Sequence, residues 1–113
     1  MGPEHRLAVY GTLAPGRVNH HEVESLSGTW TLGTVRGRLA KIGWGVNFGY
    51  PGLILDNAAD PVEVHVLEST DLPDHWARLD DFEGPGYARR IVTVETGNGG
   101  TLLAQLYTVD VGE

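Results

Sequence analysis

Three carboxylates crowd the end of a helical pattern in ARLDDFEGPGYARR, residues 77–90. Asp80, Asp81 and Glu83 precede Gly84, where we expect the helix to end. The C-terminus of a helix is the negative end of its macrodipole and favours Lys or Arg by about 0.3–1 kcal/mol each. The helix alone would not favour three acidic residues at this place, so they are the first candidates for chemistry.

Glu83 differs from the two aspartates in the direction it is expected to face. At about 100° per residue, Glu83 falls on the same narrow stripe as three apolar residues, Leu72, Trp76 and Leu79. Asp81 falls on the opposite face and Asp80 on the edge of the stripe. We therefore expect both aspartates to be solvated surface residues, near Arg78 or the arginines after the loop.

A carboxylate on a buried stripe must be hydrogen-bonded, paired or lining a cavity, because an unpaired buried charge is costly. Burial would raise the pKa of Glu83, and the helix dipole would add less than about one unit. Such a glutamate could take up and release a proton near neutral pH, as general acid–base catalysis requires. The alternative from the residues alone is a structural ion pair with Arg89 or Arg90.

Other candidates for chemistry give weaker signals. In VYGTL, Gly11 directly follows an apolar run, so a ligand could approach backbone N–H groups there, although a plain turn explains the glycine as well. His20 and His21 are adjacent and their side chains diverge, and no motif with metal-ligand spacing is present. The sequence contains neither a serine-hydrolase elbow nor a phosphate-binding loop.

Composition narrows the class of protein. The 113 residues are the length of one domain, 1–113, and the absence of cysteine excludes disulfides and thiolate metal sites. A net charge of -7 with only 8 Lys and Arg argues against binding nucleic acid or anionic lipid. Because no long apolar stretch or signal peptide is evident, we expect a cytoplasmic location.

Hydrophobic patterns predict a β-rich α+β domain. The predicted strands cover residues 7–10, 31–42, 53–55, 61–69, 88–96 and 101–110. The last two flank GNGG and form the clearest hairpin. One helix is predicted from a cap at Asp71, with Pro73 in its first turn, to just before Gly84, and a second, short helix from Asn19. This many strands in a short chain could curl into a partial barrel.

Three segments together resemble the γ-glutamylcyclotransferase family, particularly its small γ-glutamylamine cyclotransferase-like members: VYGTLAPGRVNHH, YPGLI and LDDFEGPGYARR. In order and spacing they span nearly the whole chain. The resemblance implies a small mixed β-barrel with short helices. It also implies a cyclisation in which the α-amino group of a γ-glutamyl unit attacks its own γ-carbonyl, forming 5-oxoproline and releasing an amine or amino acid.

The resemblance also assigns roles to residues. Glu83 occupies the position of the family's general acid–base. The implied substrate-binding residues are Tyr10, Gly11, Thr12, Leu13, Tyr87 and Tyr107. Arg89 is expected to support the loop after Glu83, and no metal or cofactor is implied.

Two alternatives stay open at this point. The first is a non-catalytic member that binds a small amino-acid-like ligand in the same pocket. The second is an amide hydrolase that releases free glutamate. The partner is a small γ-glutamyl molecule in each enzymatic reading, whereas the leaving amine and the oligomeric state are not specified by the sequence.

Overall fold

The computed structural model describes residues 2–10, 26–41, 51–83 and 87–109. Its strands are β1 (Arg6–Val9), β2 (Thr29–Lys41), β3 (Pro51–Leu55), β4 (Pro61–Glu68), β5 (Tyr87–Thr96) and β6 (Thr101–Val109). Its helical segments are two short 3-10 helices, Pro3–His5 and Leu72–Asp74, and one α-helix, α1 (Trp76–Glu83). Each predicted strand is present, with ends that coincide or differ by one or two residues.

The strands form a closed barrel. Their order is β3-β2-β4-β1-β6-β5, and a further pairing of β2 with β5 joins the two sides. Five strands therefore close the barrel, and β3 extends it from β2. The pair β1 and β6 is parallel, whereas the other pairs are antiparallel. The fold is the mixed β-barrel with few short helices that the resemblance implied.

Two apolar cores lie on opposite faces of the barrel wall. The barrel core is enclosed by the strands and contains Ala8, Val35, Leu53, Val64, Val66, Val92, Val94, Ala104 and Leu106. The helix core lies outside the wall, beneath the helical segments, and contains Leu7, Val9, Leu26, Leu67, Leu72, Trp76, Leu79 and Tyr107. Because successive strand residues face opposite sides, β1 and β6 each contribute to both cores.

The helix core explains why β4 departs from simple alternation. In the sequence of β4, Val62, Val64 and Val66 alternate with Glu63, His65 and Leu67, which predicts one buried and one exposed face. Val64 and Val66 face the barrel core as this alternation predicts, but Leu67, on the other face, is also buried. Its outward side chain is covered by the helical segments. The outer face of the wall is thus buried at this end of β4.

The predicted helix is shorter than expected and begins at Trp76 instead of Asp71. The Asp71 carboxylate does not cap the following turn, because its Oδ2 accepts a hydrogen bond from the Ser27 backbone N–H at 2.9 Å. Ser69 Oγ instead accepts the Asp71 N–H at 3.0 Å. A separate 3-10 helix around Pro73 results, and α1 follows it.

The hairpin of β5 and β6 agrees with the prediction. Nine residue pairs connect the two strands, from Tyr87 opposite Val109 to Glu95 opposite Thr101. Gly99 in the turn has a φ of 87°, a conformation that favours glycine.

Two predictions fall on residues outside the described ranges: the short helix from Asn19, and the amide loop of Gly11, Thr12 and Leu13. No helix in the described part of the chain is long and apolar enough to cross a membrane.

Gly33 allows the barrel to close. It pairs with Thr96 where β2 meets β5, and a Cβ there would lie 2.5 Å from Val94 Cγ1 and 2.9 Å from the Glu95 carbonyl oxygen.

We expect Gly33→Ala to lower the free energy of unfolding by about 1–3 kcal/mol, because the wall must shift to admit the methyl group. Urea unfolding measures the loss. Gly97→Ala is the matched control, since a Cβ at Gly97 meets nothing within 4 Å; equal effects would contradict the explanation.

Candidate active site

Three of the predicted pocket residues, Tyr10, Tyr87 and Tyr107, lie at one end of the barrel. The parallel strands β1 and β6 both end there, so Tyr10, directly after β1, lies near the last residues of β6. Tyr87 begins β5 opposite Val109 at the same end. Glu83 is the last residue of α1, and the chain length from Glu83 to Tyr87 limits their Cα separation to about 14 Å. Three separate segments of sequence are thus gathered in one region.

The structure describes the side chains of four of the predicted site residues and leaves those of the others undescribed. Tyr10, Tyr87, Arg89 and Tyr107 lie within the described residues. The amide loop and the side chain of Glu83 lie outside what the structure describes, so their roles stay predictions.

The phenol of Tyr10 joins three strands. Its hydroxyl donates to the carbonyl oxygen of Tyr107 at 2.7 Å and accepts the backbone N–H of Leu53 at 2.9 Å. The Tyr10 side chain also packs against the barrel core. These bonds connect the end of β1 to β6 and β3, and they anchor the residue immediately before the predicted amide loop.

Removal of this hydroxyl gives a test of its role. Tyr10→Phe leaves the Leu53 N–H and the Tyr107 carbonyl without this partner, and we expect it to lower the free energy of unfolding by about 1–3 kcal/mol. Urea unfolding measures this loss, and KM is measured on the folded variant. An unchanged unfolding midpoint would contradict the structural role, and a raised KM would show that the phenol also serves substrate binding.

Asp80 lies at the centre of a polar cluster on the outer face of the wall. Its Oδ1 accepts a hydrogen bond from the Tyr107 hydroxyl at 2.6 Å and lies 3.0 Å from Nε of Arg89. Its Oδ2 accepts a hydrogen bond from Nη2 of Arg89 at 3.3 Å. The guanidinium thus binds the carboxylate with two nitrogens, a geometry that fixes both side chains.

Trp76, the first residue of α1, contacts both β5 and the N-terminal segment. The Arg89 guanidinium carbon lies 4.4 Å from the centre of the Trp76 ring, within the range of a cation–π interaction. The Trp76 indole N–H donates to the Glu4 carbonyl oxygen at 2.9 Å. Both turns of the helix are therefore held by polar contacts as well as by the helix core.

An open depression of about 370 Å³ adjoins this cluster. It is lined by Asp80, Tyr87, Arg89, Gln105 and Tyr107. Its lining contains both hydrogen-bond donors and hydrogen-bond acceptors, which suits a small polar molecule. Among the described residues, no group of three or more His, Asp or Glu side chains could hold a metal ion.

Most of this cluster was not predicted from the sequence. Asp80 was expected on the surface near an arginine, and it does contact Arg89, but its bond to Tyr107 was not foreseen. Arg78 contacts His75 at 3.3 Å. Gln105 carried no recognisable signal, because an isolated glutamine in a strand pattern is ordinary.

Comparison with known proteins defines the class and then the family. The closed mixed barrel has the γ-glutamyl cyclotransferase-like fold, since solved structures described as AIG2-like protein and as γ-glutamyl cyclotransferase share it. Residues 7–113 match the profile of the family described as gamma-glutamyl cyclotransferase, AIG2-like. The chain therefore belongs to that family. Among curated proteins the search found no match.

Three solved structures illustrate the similarity. YkqA from Bacillus subtilis is 26% identical with a TM-score of 0.70, and the alignment covers 94% of this chain but only 36% of YkqA. An AIG2-like protein from Mus musculus is 23% identical with a TM-score of 0.72, covering 96% of this chain and 79% of that one. A structure described as γ-glutamyl cyclotransferase is 18% identical with a TM-score of 0.69, covering 93% and 66%. The last two comparisons concern the fold alone.

Proposed function

We propose that this chain is a γ-glutamyl cyclotransferase that converts a γ-glutamyl amide into 5-oxoproline and a free amine or amino acid, with Glu83 as general acid–base. The observation that supports it most is the convergence of Tyr10, Tyr87, Tyr107 and the end of α1 at one end of the barrel. Tyr10, Tyr87 and the end of α1 belong to two of the segments that resemble the family, and family membership supports the class of substrate.

The reaction needs one group that both accepts and donates a proton. The α-amino group of the substrate is mostly an ammonium ion at pH 7, so it must lose a proton before it can attack. The new bond joins this nitrogen to the γ-carbonyl carbon, and the bond from that carbon to the leaving nitrogen then breaks. Glu83 takes one proton from the ammonium group and returns it to the leaving nitrogen. The attacking nitrogen loses a second proton as it becomes the lactam N–H, and that proton ends on the released amine, which is an ammonium ion at pH 7.

The remaining task of the protein is to position the substrate. Nucleophile and electrophile belong to one molecule, so the pocket needs to hold a folded conformer in which they are close. In the proposal, backbone amides of Gly11, Thr12 and Leu13 face the carboxylate or carbonyl oxygen of the γ-glutamyl group. Tyr87 and Tyr107 line the pocket, Tyr10 anchors the start of the amide loop, and Arg89 supports the loop after Glu83.

The proposed enzyme acts as a single domain, 1–113, in the cytoplasm and uses neither metal nor cofactor. Its partner is a small γ-glutamyl molecule, with no nucleic acid or membrane involved. The net charge of -7 favours a cationic or neutral leaving amine by long-range attraction.

Product analysis with a blocked substrate tests the proposal. The protein is incubated with γ-glutamyl amines and γ-glutamyl dipeptides, and 5-oxoproline and glutamate are quantified by mass spectrometry. Each substrate is also supplied with its α-amino group acetylated, which removes the nucleophile. We expect 5-oxoproline from the free substrates and no cleavage of the acetylated ones.

Other outcomes distinguish the alternatives. Release of glutamate, with cleavage of the acetylated substrates, would indicate hydrolysis by water. No product from any substrate, together with a raised melting temperature in the presence of one of them, would indicate a binding protein.

A further inference from the structure

Helical geometry places positions 76, 80 and 83 on one side of α1. With Trp76 at 0°, Asp80 falls at about 40° and position 83 at about -20°, at 100° per residue. Trp76 and Asp80 both contact Arg89 of β5, so this side of the helix faces the β5–β6 hairpin. Position 83 follows Asp80 by less than one turn, so whatever fixes Asp80 also fixes the backbone at position 83.

We infer that Asp80 is a positioning residue for the general acid–base, an inference that rests on the proposed function of Glu83. Asp80 connects the last turn of α1 to two strands, through Arg89 of β5 and Tyr107 of β6. These strands also form the end of the barrel where the predicted pocket residues gather. The carboxylate thereby sets the distance between the end of the helix and the pocket wall.

The contacts of Asp80 are more specific than those of an ordinary surface ion pair. An exposed pair contributes little to stability and leaves its side chains free to move. The Asp80 side chain is itself 43% exposed, but its partner Tyr107 is only 5% exposed, and the Arg89 side chain is held between the bidentate carboxylate and the Trp76 ring. The acidic residue at an unfavourable helix terminus is therefore paired in a fixed geometry with a cation from the neighbouring strand.

The cluster also determines how Tyr107 can interact with a substrate. The phenol has one proton, and that proton is donated to Asp80. Toward any other partner, the Tyr107 oxygen can act only as an acceptor. A substrate group that reached the Tyr107 oxygen would therefore meet an acceptor and not a donor.

The experiment measures kcat and KM separately for Asp80→Asn, with Asp81→Asn as the matched control and Glu83→Gln in the same assay. Asp81 is exposed and lies on the opposite side of the same turn. We expect Asp80→Asn to lower kcat roughly 10- to 100-fold, as displacement of a reacting group does, with a smaller change in KM. We expect Asp81→Asn to leave both constants unchanged. Arg89→Lys keeps the charge but loses the bidentate geometry and is expected to lower kcat as well.

The outcomes separate the inference from the function on which it rests. Failure of the wild type to release 5-oxoproline from any substrate overturns the proposed function and the inference with it. An active wild type with an inactive Glu83→Gln, but with kcat unchanged in folded Asp80→Asn, overturns the inference alone. A lower melting temperature of Asp80→Asn with kcat intact well below that temperature would show a purely structural role and would also overturn it.

Discussion

Replacement of Glu83 by Gln is expected to lower kcat by roughly 100-fold or more, as the loss of a general base does. Glutamine has nearly the same size and keeps an acceptor oxygen, but it cannot take the proton from the substrate ammonium group. The variant should fold as the wild type does, because the substitution removes a charge without changing the volume. Release of 5-oxoproline under single-turnover conditions measures the chemical step, and circular dichroism checks the fold.

The position of Asp81 on the other side of α1 provides the control for this prediction. Asp81→Asn makes the same chemical change two residues away at an exposed site, and it should retain wild-type kcat. A Glu83→Gln variant with more than about a tenth of wild-type activity would remove Glu83 as general acid–base. Loss of activity in both variants would indicate a nonspecific effect of charge at this end of the helix.

Replacement of Leu79 by Ala is expected to reduce the free energy of unfolding by about 2–5 kcal/mol. Leu79 is 0% exposed and lies in the helix core, where α1 packs against the outer face of the barrel wall. Truncation leaves a cavity that the surrounding strands, tied into a closed barrel, can fill only in part. Urea or thermal unfolding measures the loss.

An exposed leucine of the barrel wall serves as the control for Leu79. Leu32 on β2 is 54% exposed, so Leu32→Ala should change the free energy of unfolding by less than about 0.5 kcal/mol. Equal losses at the two positions would contradict the existence of a packed core beneath α1. A loss at Leu79 below about 1 kcal/mol would lead to the same conclusion.

Local patterns in the sequence predicted the strands well. The alternation of Val64 and Val66 with polar residues predicted β4, and GNGG between two apolar runs predicted the hairpin. Both signals arise from residues close together in the chain, where turn chemistry and side-chain alternation act directly. The closed barrel was anticipated through the resemblance to a family, since strand order is not visible in local pattern.

Contacts between distant residues account for what was missed. The start of α1 depends on Asp71, whose carboxylate binds the backbone of Ser27, 44 residues earlier, instead of capping the helix. The role of Asp80 depends on Tyr107, 27 residues later, on a different strand. In each case the sequence identified the polar residue as one that needs a hydrogen-bond partner. Several groups in the chain could have been that partner, and only the tertiary fold determines which one is.

The parallel pairing of β1 and β6 has a consequence for how the chain folds during synthesis. Leu7 pairs with Gln105 and Ala8 with Leu106, so nearly the whole chain separates the partners. During translation, β1 has no parallel neighbour until β6 has left the ribosome, and β2 cannot close onto β5 until β5 has also been made. Folding should therefore be completed late and should be slow for a protein of this size, since distant contacts carry a large loop-closure cost. Until then, the edge of β1 that pairs with β6 stays unpaired, and an unpaired strand edge favours wrong pairing and aggregation.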